Sequence, residues 1–115
     1  MSITDELGAP ESRRTELSRV LALQTDRIRG LPLARLDRAR PGEELSAADV
    51  VRAAAQDLAD LAADAEGQPR RPVPRLATHG LGDQLAVLGA DVLRHGDAAA
   101  LAAAHEVLTT VRRAL

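Results

Sequence analysis

SAADVVRAAAQDLADLAADAEG, residues 46–67, is the stretch whose reading decides the fold. Ser46 followed three residues later by Asp49 has the form of a capping box with Asp in place of Glu, which opens a helix. Val50, Ala54, Leu58, Leu61 and Ala65 then recur on one helical stripe, and Asp57, Asp60 and Asp64 fall away from it. Gly67 with Pro69 two residues on is a stop signal. The spacing predicts a helix over about 47–66.

Working outward, GQPRRPVPR (67–75) carries three prolines in nine residues, which stiffen it toward an extended conformation. It reads as a solvated linker. It also holds Arg70, Arg71 and Arg75, the densest positive charge in the chain and a candidate anion contact. The next helix is predicted over about 76–95. Gly80 and Gly82 suggest a break near 79–82, since each interior Gly costs roughly 1 kcal/mol against Ala. Leu81, Leu85, Leu88 and Val92 form its stripe, and Gly82, Ala86, Gly89 and Ala90 a small-residue face beside it. Gly96 reads as the residue closing this helix and Asp97 as the N-cap of the next, over about 98–115. There Leu101, Ala104, Leu108, Val111 and Leu115 step along a heptad-like seam. Arg112 and Arg113 sit in its last turn, where they complement the helix dipole.

Upstream, Pro10 suits a first helical position. Leu17, Leu21, Gln24 and Ile28 share one face, widened by Val20 and Leu23, and Gly30-Leu-Pro32 ends the run. The first helix is predicted over about 11–29, after a flexible lead-in at 1–9. Between Pro32 and Pro41, Leu33 and Leu36 allow one short helical turn at 33–38, with Arg35, Asp37, Arg38 and Arg40 outside. Val and Ile total only ten residues and no period-two alternation persists, so no strand is expected. The expected fold is all-α: one small bundle of four main helices (about 11–29, 47–66, 76–95 and 98–115), forming a single domain over 10–115.

Composition narrows the function classes. None of the 115 residues is Phe, Tyr or Trp, while Ala (23) and Leu (18) dominate. Aromatics carry much of the energy of ligand pockets, base-stacking platforms and interface hot spots, so each of those readings weakens. All 15 basic residues are Arg, which excludes lysine chemistry. Cysteine is absent, which excludes disulfides and thiolate sites. The net charge of -2 is not that of a nucleic-acid binder. Residues 1–42 hold eight Arg against six acids, whereas 43–66 hold one Arg against seven. The basic first helix and the acidic second are expected either to pair within the fold or to steer association with another chain. No apolar run approaches membrane-spanning length and no signal-peptide pattern opens the chain, so the expected location is cytoplasmic.

Catalytic material is sparse. Ser2, Ser12, Ser18 and Ser46 stand in no nucleophile motif, and Gly80-Leu-Gly82 lacks a phosphate-loop context. His79/Asp83 and Asp91/His95 have i, i+4 spacing, but at 100° per residue the two pairs lie about 120° apart and cannot share one ion on a straight helix. Surface pairing explains them. His95 also suits a helix C-terminus, and His105 lies beside the last seam. No metal or other cofactor is expected. The reading is a non-enzymatic helical protein-interaction module whose partner is another protein chain, expected to be a second copy of itself. Leu85, Leu88, Val92, Leu101, Leu108 and Val111 are its candidate core or interface residues. A regulator that binds nucleic acid or an acidic partner through arginines of the first helix and the 67–75 linker is the alternative. A metal- or small-ligand-binding bundle is a second one.

Overall fold

The computed structural model describes residues 3–115, with side chains from residue 11 onward. Its elements are α1 (Ile3–Gly30), α2 (Leu33–Leu36), α3 (Ala47–Glu66), a 3-10 turn (Thr78–Gly80), α4 (Leu81–His95) and α5 (Ala98–Ala114). The fold is a small all-α bundle, with no strand among the described residues beyond one isolated bridge between Ala39 and Ser46. Ser46 accepts from the Asp49 amide at 3.1 Å and Asp97 from the Ala100 amide at 2.9 Å, so both N-caps act as their chemistry predicts. Gly67 closes α3 at φ +68°, a left-handed conformation that favours glycine.

Several boundaries differ from the spacing argument. Helix α1 begins at Ile3, so Pro10 lies inside it and forfeits one ladder bond instead of opening the helix. Residues 3–9 of the predicted lead-in are thus helical, and Met1 and Ser2 lie outside the described residues. Residues 76–77 lie outside any helix, and α4 proper starts at Leu81 after the 3-10 turn. The short element α2 ends at Leu36, two residues early. Gly96 has φ −71°, not a left-handed value; what it supplies is room, since a Cβ there would lie 2.7 Å from the Val92 carbonyl oxygen.

Helices α1 and α3 occupy opposite corners, and each packs along both α4 and α5. Glycine decides how close α1 comes. A Cβ on Gly89 would lie 2.6 Å from both Leu21 δ-carbons, and one on Gly82 would lie 3.0 Å from Arg29 Cγ. The small-residue face of α4 is therefore the seat of α1 within one chain. These contacts also set direction: Leu21 opposes Gly89 and Thr25 opposes Gly82, so α1 and α4 are antiparallel. By contrast α3 and α4 are parallel, because Glu66 meets His95 at their C-terminal ends with Nε2–Oε1 at 3.0 Å. Among the described residues no ion pair joins the basic α1 to the acidic α3, so the first of the two expectations for their charge asymmetry, pairing within the fold, is not met.

The core is aliphatic. Leu17, Leu21, Gln24 and Ile28 of α1 are all buried, as their spacing requires, whereas Leu23 is 58% exposed and widens nothing. In α3 the buried set is Ala48, Val51, Ala54, Ala55, Leu58 and Ala62, with Val50 and Leu61 half-buried and Ala65 exposed. That face is turned by roughly 60° from the predicted stripe, because an alanine-rich helix wedged between α4 and α5 buries two flanks. Leu85, Val92, Leu101, Leu108 and Val111 are at most 1% exposed, and Leu88 is half-buried. These seams are core.

Two substitutions test this packing. Leu108→Asp places a carboxylate where no water reaches, at a cost comparable to the roughly 5–15 kcal/mol of a whole domain. Far-ultraviolet circular dichroism should show loss of helix; a helical monomer would mean that Leu108 faces a partner. Gly89→Val forces α1 away from α4 and should destabilise by roughly 2 kcal/mol despite its better helix propensity. An unchanged melting temperature would contradict the close approach.

Candidate functional site

Parallel neighbours cannot be joined by a tight turn, so the chain must return along the whole of α3 before α4 can start. Residues 68–77 do this as an extended strap. Its anchors are ordered. The Arg70 guanidinium makes two bonds to the Asp64 carboxylate, at 3.0 and 2.7 Å. Gln56 reads the strap as a neighbouring strand would: its Nε2 donates to the Arg71 carbonyl at 3.0 Å and its Oε1 accepts from the Val73 amide at 2.9 Å. Gln84 of α4 donates to the Pro74 carbonyl at 2.9 Å, and Arg52 donates to that of Leu76 at 3.2 Å. The linker predicted to be merely solvated is fastened to both helices.

The three candidate anion contacts therefore separate. Arg70 is consumed by the fold. Its guanidinium holds the Asp64 carboxyl below the ordinary carboxylate range, and the carboxylate raises Arg70 in return. Arg71 and Arg75 are exposed and make no ion pair among the described residues.

The arginines of residues 1–42 have a structural use that charge counting misses. The last carbonyls of a helix lack intrahelical partners and carry the negative end of the dipole. Arg14 of α1 donates to the carbonyls of Leu93 and Gly96, at and just beyond the end of α4. Arg35 donates to the Leu115 carbonyl at 3.3 Å and Arg40 to that of Arg113 at 3.0 Å, fastening the end of α5. Arg29 pairs with Asp83 of α4.

Around the end of α5 these bonds build an open cleft of about 330 Å³. Arg35, Arg38 and Arg40 line it together with Leu31, Pro41 and Leu115. No Asp or Glu side chain lines it. Arg38, exposed at its rim, makes no side-chain hydrogen bond or ion pair among the described residues, and neither do Arg112 and Arg113 in the adjoining last turn of α5. Glu43 and Glu44 lie in the neighbouring cleft beyond Arg40, within ion-pair distance of no described arginine.

The histidines are dispersed. His95 is spent on Glu66, and the acids spaced for the i, i+4 pairs have other partners, Asp83 with Arg29 and Asp91 with Arg94. His105 lies half-buried over an open groove between α1 and α5, near Ser12, Arg13 and Glu16. Among the described residues no three His, Asp or Glu side chains converge as metal ligands, and no helix is long and apolar enough to cross a membrane. Gln56 and Gln84, which position the strap, carried no signal in the sequence beyond being polar residues on helical faces. No family model matches this chain, and neither does any curated protein or solved structure.

The strap's fastening gives two expectations. Gln56→Leu keeps the side-chain size and removes both bonds, so the Val73 amide should exchange with solvent at least about tenfold faster while α3 amides hold; unchanged protection would show that the glutamine fastens nothing. Asp64 titrates below the ordinary carboxylate range when folded, so its pairing stabilises the protein at higher pH and is lost as pH falls through that lowered value. Carboxyl NMR of Arg70→Gln should show the Asp64 midpoint moved upward.

Proposed function

We infer that this protein is a non-enzymatic interaction module that receives an acidic segment of a partner protein in the cleft at the end of α5. The observation that carries this reading is the guanidinium set there. Arg35 and Arg40 are held by bonds to main-chain oxygens at the end of α5, and the side chains of Arg38, Arg112 and Arg113 make no ion pair among the described residues. Pre-positioned guanidinium suits planar carboxylates, and the aliphatic walls of Leu31, Pro41 and Leu115 suit apolar side chains spaced between them. Leu33 and Leu45, 50% and 59% exposed, extend apolar area from the same loop region. The absence of aromatics disfavours a base-stacking surface, which sets a protein segment ahead of single-stranded nucleic acid.

Self-association loses the residues that first suggested it, because the leucine and valine seams are buried in the chain's own core. A second copy would have to use another surface.

A fluorescein-labelled peptide of alternating Glu and Leu is a direct probe, followed by anisotropy at low salt. Binding should weaken about tenfold or more in Arg38→Glu, which costs the fold nothing, and should fall with added salt. No binding at low salt, or binding indifferent to Arg38→Glu, would refute the assignment. So would a duplex oligonucleotide that binds more tightly than the peptide.

A further inference from the structure

The two ends of the molecule carry complementary chemistry. At one end the chain turns from α4 into α5 at Gly96-Asp97, and α1 is level with that turn at Arg13 and Arg14. Arg14 donates to the Leu93 and Gly96 carbonyls, and Arg13 to that of Ala98. Helix α3 stops at the same level, with Glu66 against His95. Helix α1 does not stop there. Its backbone is helical back to Ile3, ten residues before Arg13, and at 1.5 Å per residue these carry it about 15 Å past the turn. The dimensions agree: the molecule is 49 Å along its longest axis, whereas α3 measures about 30 Å.

The projecting turns are acidic. Residues 1–12 hold Asp5, Glu6 and Glu11 and no Lys, Arg or His. Ile3 and Leu7, one helical turn apart, flank Asp5 and Glu6 in the sequence. Five full turns separate Ile3 from Leu21 and Leu7 from Thr25, both of which are buried. By register, the stripe that packs α1 onto α4 therefore continues into turns with no α4 alongside. Carboxylates interleaved with aliphatic side chains are the chemistry that suits the cleft at the end of α5. That cleft lies at the opposite end of the molecule. The 28 residues of α1 span about 40 Å, and Leu31 of the cleft follows directly after them, so a chain's own first turns cannot reach its own cleft.

We propose that the occupant of the cleft is a second copy of this chain, which inserts the first two turns of its α1. Asp5 and Glu6 supply the carboxylates for Arg38, Arg112 and Arg113, and Ile3 and Leu7 supply the apolar side chains for Leu31, Pro41 and Leu115. The proposal rests on the reading of the cleft as a receiver of acidic segments, and it names the segment. Charge selects this pairing, because two acidic arms repel each other and so do two basic clefts. The contact is heterologous: each copy offers a different surface, and one chain carries both halves.

Sedimentation velocity with interference optics tests this on the full chain without aromatic absorbance. Between about 10 µM and 1 mM the weight-average mass should climb above that of one chain and fall back with added salt. Arg38→Glu breaks the cleft and the double variant Asp5→Asn/Glu6→Gln breaks the arm, so each alone should need at least about tenfold more protein to associate. Circular dichroism confirms that both stay folded. Mixed in equal amounts, the two should form a 1:1 complex, because one contributes an intact arm and the other an intact cleft. A wild-type chain that stays monomeric throughout, association that persists in either variant, or a mixture that forms no complex would each overturn the proposal. The labelled Glu/Leu peptide, titrated into the same samples, separates the two readings. Peptide bound by a chain that does not self-associate overturns this inference alone, whereas a wild-type chain that neither binds peptide nor self-associates overturns the reading of the cleft as well.

Discussion

The parallel alignment of α3 and α4 is the constraint from which the rest follows. Two antiparallel helices need a few residues between them, but these two need a connection as long as the helix itself. Helix α3 spans 20 residues, about 30 Å. A flexible chain of that reach would pay loop entropy and leave its backbone groups unmatched. The proline-rich strap resolves both difficulties. It is extended before it folds, and Gln56, Gln84 and Arg52 give its backbone partners along the way. With α4 thus returned to the start of α3, the tight Gly96-Asp97 junction brings α5 back up, and α1 closes the fourth corner against glycines.

The missing aromatics shape the packing. Leu, Val and Ala fill less volume per residue, so the helices must come together until little space remains. Gly82 and Gly89 allow this on the α1 side, and the alanines of α3 allow it on the other. Burial at this closeness compensates in part for the area that large rings would have supplied. The core still accommodates a polar exception: the Gln24 side chain is 6% exposed on α1, with its Oε1 unpaired among the described side chains.

Much of this was legible from spacing and caps. The α3 boundaries, both N-caps, the α1 face and the α5 seam follow from local rules, which act within one helix turn. What was not legible is long-range. The α3 stripe was misphased because alanine gives too weak a contrast to separate two adjacent faces. The direction of α4 depends on contacts between residues such as Glu66 and His95 that are 29 positions apart, and no local pattern encodes it. For the candidate site, the arginines of 67–75 were visible as charge. Their division into one fastener and two exposed side chains was not, because it depends on which strap residues meet Asp64 and Gln56. The cleft at the end of α5 was visible only as a charged outer side of α2. Its arginines looked like free charge, yet two of them cap a helix that ends more than seventy residues later.

Because the chain has no cysteine, spin labels can be placed at will, and a pair at Glu66 and Gly80 tests the parallel arrangement most directly. If α4 runs alongside α3 in the same direction, these positions lie at opposite ends of the α4 span, and pulsed dipolar spectroscopy should report a distance on the order of 20–25 Å, set by the 15 residues of α4. A single short distance near 10 Å would mean that the two helices form an ordinary antiparallel hairpin, and the strap account would fail with it.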